Sequence, residues 1–174
     1  MMARFNRKQF IAGISIQAAE SANACGIIPA NVPKEVAVAP ISPQVMPLKV
    51  IPDMRGKLCV LEKSTGLPFD VCRVYFLYDV PSGSERGGHA HHELQQYLIA
   101  ISGSFTVDVV TSEGSNSYRL ERPDQALHIG PYTWREIHSF SSNAVCLVLA
   151  SHEYSEADYI RRRADFDALV GIIS

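Results

Sequence analysis

The chain has 174 residues, of which 47% are hydrophobic and 20% charged, with a formal net charge of −2. That length and composition fit one globular domain with a sizeable core. The near-neutral balance lacks the basic stripe a nucleic-acid binder needs, and no stretch reaches the ~18 apolar residues of a membrane-spanning helix. The N-terminus, MMARFNRKQFIAGISIQAAESANA, joins basic residues to an apolar patch that is short and broken by Gln17, so it is not read as a secretory signal. Six of the ten prolines fall between Pro29 and Pro52, a composition that opposes helix. Residues 1–46 are therefore expected to be an extended, loosely packed lead, and 47–174 the folded domain.

From Leu48 onward the pattern becomes regular. KLCVLE, CRVYFLYDV, QQYLIAIS, SFTVDVV, SYRLE, ALHIG and AVCLVLAS are short β-branched and aromatic runs separated by Gly, Pro, Ser and Asn. Such spacing predicts an all-β sandwich or barrel and argues against βαβ units. Near the end, Ser155 precedes EADYIRRRADFDALV, with Asp158 as a capping-box-like partner and an apolar stripe of Ile160, Phe166, Leu169 and Val170, so one C-terminal helix is expected to start there. Cys25, Cys59, Cys72 and Cys146 show no CxxC spacing, which suits a reduced cytoplasm.

The stretch RGGHAHHELQQYLIAISGSF, residues 86–105, carries the chemistry. On a strand, side chains two apart share a face, so His89 and His91 point one way and His92 the other. Arg73 and Tyr75 likewise share a face, opposite Val74 and Phe76. The arrangement Gly83-x5-His89-x-His91-x4-Gln96-x6-Gly103 resembles the first cupin motif, in which two histidines and a glutamate bind a divalent metal within a jelly-roll β-barrel. Here Gln96 stands at the glutamate position, a neutral amide where a metal wants an anionic oxygen. In IGPYTWRE, Arg135 stands where a third histidine is expected, and a guanidinium repels a cation. The pair is therefore expected to move protons and to hold no metal.

A longer pattern is similar to the WxcM-like nucleotide-sugar 3,4-ketoisomerases. It runs through DMRGKLCVLEKSTGLPFDVCRVYFLYDVPSGSERGGHAHHELQQYLIAISGS, then HIGPYTWREIHSFSSNAVCLVLAS and YSEADYIR, about residues 48–165. Arg86, Gly87, His89, Ala90 and His91 complete its RG-x-HAH box, and Arg73, Val74 and Tyr75 its R-V-Y strand. Gln95 replaces a common glutamate. The resemblance implies a cofactor-free enzyme that converts dTDP-4-keto-6-deoxyglucose to its 3-keto isomer through an enediol. It implies His89 as the base at carbon, His91 and Tyr75 as relays between the sugar oxygens, and Arg86 against the pyrophosphate or the enediolate. Arg73, Arg55, Arg135 and Gln96 are the further candidates for substrate binding. It also implies a homodimer.

Neighbouring readings are a dTDP-sugar 3,5-epimerase, a metal-dependent cupin and a non-catalytic sugar-nucleotide-binding module. His92, His128, His138 and His152 are read as structural or exposed. Trp134 and Tyr132 are expected to fill the barrel mouth, and the basic run at 161–163 to be a solvated helix face.

Overall fold

The computed structural model describes residues 41–172; of the expected lead over residues 1–46, residues 1–40 lie outside them. Twelve strands and one helix occur among the described residues. The strands are β1 (Gln44–Pro47), β2 (Lys49–Asp53), β3 (Gly56–Val60), β4 (Arg73–Leu77), β5 (Arg86–His91), β6 (Gln96–Ser102), β7 (Phe105–Thr111), β8 (Gly114–Leu120), β9 (Gln125–Ile129), β10 (Trp134–His138), β11 (Val145–Ala150) and β12 (Tyr159–Ile160), and the helix is α1 (Arg163–Val170). One sheet runs β1-β9-β6-β11-β4 and a second runs β12-β5-β10-β7-β8, while β2 and β3 pair only with each other. The expected all-β jelly-roll sandwich is thus the fold. No helix among the described residues is long and apolar enough to cross a membrane.

Side-chain periodicity explains the layers. In β7, Phe105, Val107 and Val109 face inward and are buried, while Thr106, Asp108 and Val110 are half-buried on the outer face, the alternation of a sheet with one wet side. β6 and β11 read instead as nearly continuous apolar runs because both their faces are covered. Leu98, Ala100, Cys146 and Val148 enter the core between the sheets. Tyr97, Ile99 and Leu149 pack outward beneath Leu61, Leu67 and Phe69.

Two sequence-based boundaries move. The barrel begins before residue 47, because β1 pairs with β9 from Gln44↔His128 to Pro47↔Gln125 and Tyr97 Oη donates to Met46 Sδ at 3.0 Å. Pro47 is tolerated because β1 is an edge strand, where a missing N–H costs no ladder bond. The C-terminal helix begins at Arg163, not after Ser155. Residues Glu156–Asp158 form a single 3-10 turn, and the chain then extends so that Tyr159 pairs with His91 and Ile160 with Ala90. Sheet pairing there outcompetes the local helical pattern, and α1 ends at Gly171 with φ 74°.

One irregularity decides what the cavity contains. Along β5 and β10 the partners are Arg135↔His89, then Glu136↔Gly87 and Ile137↔Arg86, so Gly88 is an extra residue and the strand bulges. A bulge resets the two-residue alternation. Arg86, three residues from His89 and destined by simple parity for the opposite face, is turned to the same side. Gly87 and Gly88 adopt φ 91° and 66°. A Cβ on Gly87 would lie 2.6 Å from the Arg135 carbonyl oxygen, whereas one on Gly88 would meet nothing within 4 Å.

Gly87→Ala is therefore expected to cost about 2–5 kcal/mol, combining a left-handed backbone with a backbone clash, and Gly88→Ala only about 1 kcal/mol. Urea denaturation midpoints of the two variants against wild type measure this difference.

Candidate active site

The inward positions of β4, β6 and β10 change from apolar to polar toward one end of the sandwich, and a cavity of about 350 Å³ opens there. Leu98, Ile137 and Val148 form its apolar floor, continuous with the core. Arg73 and Tyr75 of β4, Arg86 and His89 of β5, Gln96 of β6 and Arg135 of β10 supply its polar wall, and Tyr154 and Tyr159 flank it. Strand pairing sets these neighbours: Val148 lies between Tyr75 and Leu98, and Arg135 opposes His89.

His89 donates Nδ1–H to the Gly87 carbonyl at 2.9 Å, because a carbonyl only accepts. Its Nε2 is thereby left with the lone pair. Burial, and secondarily the charge of Arg135, lowers its pKa to about 4, so the ring is a neutral base near pH 7. His91 stands behind it, 2% exposed, with ring centroids 5.1 Å apart. Burial, then the charge of Arg135, holds His91 lower still, and its neutral Nδ1–H donates to Asp158 Oδ2 at 2.9 Å. The buried Nε2 of His91 has no hydrogen-bond partner among the described residues. Asp158 Oδ1 also accepts from the Glu93 N–H at 2.8 Å, which pins the carboxylate that orients the ring.

Across the cavity, Arg135 is 3% exposed and donates to the His89 carbonyl at 3.0 Å and to Gln96 Oε1 at 2.6 Å. Gln96 Nε2 then donates to Tyr75 Oη at 2.7 Å. Burial lowers Arg135 to about 10 and raises the Tyr75 phenol, so at neutral pH the first stays charged and the second stays protonated. The Arg73 guanidinium lies over the Tyr75 ring at 5.2 Å and near the Tyr154 ring at 5.8 Å. Its buried Nε lacks a hydrogen-bond partner among the described residues.

The donor set does not fit a metal. Gln96 turns its one acceptor oxygen to Arg135, and the guanidinium places a positive charge where the cupin motif has a third ligand.

Of the sequence-predicted site residues, His89, Tyr75, Arg73, Arg86, Gln96 and Arg135 line one cavity, with His91 directly behind His89. Arg55 is not brought to it. It sits at the β2–β3 turn, exposed and paired with Asp53 at both its N–H and its guanidinium. Trp134 does not fill the mouth either. Because Arg135 and Ile137 face the cavity, Trp134 faces outward and packs against Phe166, centroids 5.7 Å apart. His128 is buried beside Gln95, and His138 pairs with Asp108. Sequence reasoning missed Asp158, Tyr154 and Tyr159; their signal lay in YSEADYIR, where Asp158 was read as a helix cap. A hollow of about 440 Å³ on the outer face holds Asp108, Glu136 and Arg163 but none of the candidates.

Comparison with known proteins shows the family. The family profile described as WxcM-like, C-terminal (FdtA) matches residues 42–171. The chain belongs to the WxcM-like family. This WxcM-like chain is 37% identical over 131 residues to the TDP-4-oxo-6-deoxy-alpha-D-glucose-3,4-oxoisomerase of Aneurinibacillus thermoaerophilus, covering 75% of this chain and 94% of that protein. It superposes with a TM-score of 0.71 on a 3,4-ketoisomerase from Helicobacter canadensis at 37% identity, covering 75% of this chain and 98% of the other. A 3,4-ketoisomerase from Thermoanaerobacterium thermosaccharolyticum, solved as a His-to-Asn variant in complex with TDP-4-keto-6-deoxyglucose, gives 0.71 at 34% identity and covers 74% and 93% of the two chains.

The depressed histidines set a pH dependence of stability. An unfolded histidine titrates near ~6.5, whereas folded His89 does so at about 4. Between those values the unfolded chain binds more protons, so stability falls as pH drops from about 6.5 toward 4 and is unaffected by these rings above that window. The urea midpoint followed from pH 8 to pH 4.5 should show that fall, and His89→Asn should make it shallower.

Proposed function

We propose that this chain is a dTDP-4-keto-6-deoxyglucose 3,4-ketoisomerase. The observation that carries the reading is a histidine held neutral, with its bare Nε2 in the same cavity as a protonated tyrosine, in a chain that matches named 3,4-ketoisomerases over three quarters of its length. His89 Nε2 removes the C3 hydrogen as a proton, and the electron pair forms the C3–C4 double bond as the C4 carbonyl becomes an enediolate oxygen. Tyr75 gives its proton to that oxygen, and the resulting phenolate recovers one from the C3 hydroxyl. Collapse of the C3 oxygen to a carbonyl lets C4 take a proton from His89. Nothing is oxidised or reduced overall, so no co-reactant is needed.

His91, oriented by Asp158, completes the proton circuit. The fixed charge of Arg135 stabilises the enediolate in a site screened from water. Arg73 and Arg86 supply cationic forks for the pyrophosphate, and the exposed face of Tyr154 is available to the base. The cytoplasm is the compartment this reading assigns.

The decisive experiment is incubation with dTDP-4-keto-6-deoxyglucose and NMR of the sugar ring. The expected product carries its ketone at C3. Epimerisation at C3 and C5 with the ketone still at C4 would instead establish the epimerase, and binding without change the non-catalytic module. His89→Asn is expected to lower kcat on the order of 10²–10⁴-fold while dTDP still raises the Tm; near-native turnover of that variant would remove His89 from the role of base.

We also propose that two copies pair. β4 is a sheet edge whose outer face presents Val74 and Phe76, 56% and 58% exposed, beside Tyr78. The β2–β3 hairpin presents Ile51 and Leu58 and pairs with neither sheet, and an isolated two-stranded ribbon is marginal in water. A second copy covering both would satisfy them. Light scattering after size exclusion should give twice the chain mass, and Phe76→Glu should shift the protein to monomer; a wild-type monomer at micromolar concentration overturns the pairing.

A further inference from the structure

Gln96 sits where the cupin motif carries an acid, and its two ends face two different groups. Resting on the reading of Tyr75 as proton relay, we infer that Gln96 is a positioning residue that turns the Tyr75 hydroxyl proton toward the substrate. The argument rests on donor and acceptor types, and these fix the amide without reference to which end is drawn as nitrogen. A guanidinium has only donors, so the end of Gln96 that lies 2.6 Å from Arg135 Nη2 is the oxygen. The end that lies 2.7 Å from Tyr75 Oη is therefore the nitrogen, and it donates. The phenol oxygen accepts that bond, so its own hydrogen cannot point at Gln96. Among the described residues no other hydrogen bond engages Tyr75 Oη, and the side chain lines the cavity. The hydroxyl proton is left to the substrate oxygen.

The same bond serves the second half of the relay. When Tyr75 has given up its proton, the Gln96 N–H stays on the phenolate oxygen and stabilises it, and the charge of Arg135 acts in the same direction. A glutamate at this position would reverse both effects. One of its oxygens would accept from Arg135, and the other could only accept from Tyr75, drawing the phenol proton away from the cavity. The side chain that makes a metal cupin would unmake this relay.

Gln96→Glu is the test, because it is nearly isosteric and gives the buried Arg135 a carboxylate, so its Tm should not fall below wild type. With chelator present throughout, kcat for dTDP-4-keto-6-deoxyglucose should drop about 10–100-fold with KM changed less than about threefold. In a Tyr75→Phe background the same substitution should add little, since both act through one proton. A second readout does not depend on turnover. In protein labelled with 3-fluorotyrosine, the Tyr75 fluorine resonance, identified by its loss in Tyr75→Phe, should titrate at higher pH in Gln96→Glu than in wild type, because a donor to the phenolate has been replaced by a negative charge. An unchanged or lower titration overturns the inference, as does an equal kcat loss with and without the Tyr75 hydroxyl. If Tyr75→Phe alone turns over at the native rate, the relay reading fails by itself, and the fluorine titration still decides whether Gln96 orients the phenol.

Discussion

A guanidinium buried at the base of the cavity, donating to an amide and a carbonyl that carry no charge, governs the chemistry around it. Arg135 is too strong a base to lose its proton even though burial lowers it to about 10. Among the described residues no carboxylate is hydrogen-bonded to it, and the surrounding groups adjust. It adds to burial, the larger cause, in disfavouring the protonated forms of His89 and His91, so two imidazoles stay neutral at a pH where free ones begin to charge. It orients the Gln96 amide, whose nitrogen donates to the Tyr75 oxygen. It also ties β10 to β5 through the His89 carbonyl. A cavity walled by Arg73, Arg86 and the buried Arg135 is matched to anions, and the enediolate is the anion the proposed reaction forms.

The same charge separates this site from metal cupins on a shared architecture. A metal would polarise the sugar carbonyl and be balanced by carboxylate and imidazole ligands. In the proposed reaction a covalently attached cation takes the electrostatic part, and the imidazoles that would have been ligands keep their lone pairs for protons. His89 and His91 also differ from each other. Gly87 orients the first through a backbone carbonyl and Asp158 orients the second through a carboxylate, so the pair is held in one tautomeric arrangement with both Nε2 atoms bare. Fixed tautomers of this kind reduce the reorganisation required during proton transfer.

Backbone geometry contributes as much as side-chain identity. The Gly87–Gly88 bulge puts Arg86 on the cavity side and brings the Gly87 carbonyl to His89, while the close approach of the Arg135 carbonyl leaves no room for a Cβ at Gly87. The extended pair Tyr159–Ile160 performs a similar service at the other edge of β5. It carries Asp158 to His91 and Tyr159 to within 4.2 Å of the His91 ring centroid.

Much of this was legible in the sequence. Alternating apolar runs between turn residues gave an all-β sandwich, because the two-residue period of a strand is local and side chains register it directly. His89 and His91 on one face, and Tyr75 and Arg73 on one face, were readable from spacing, while the resemblance to the cupin motif put Gln96 and Arg135 in place of ligands. Tertiary structure alone decided the rest. Parity placed Arg86 opposite His89 until the bulge reset it, and a bulge is a property of two paired strands that no single strand reveals. A helical pattern after Ser155 gave way to pairing with β5, since hydrogen bonds between strands 68 residues apart, Tyr159 with His91, are invisible to local periodicity. Asp158, read as a cap, became the partner of His91 for that reason, and Arg55 was left at an exposed turn. The sequence by itself determined which functional groups the protein has; which of them meet, and which way each proton points, depended on contacts between strands distant in the chain.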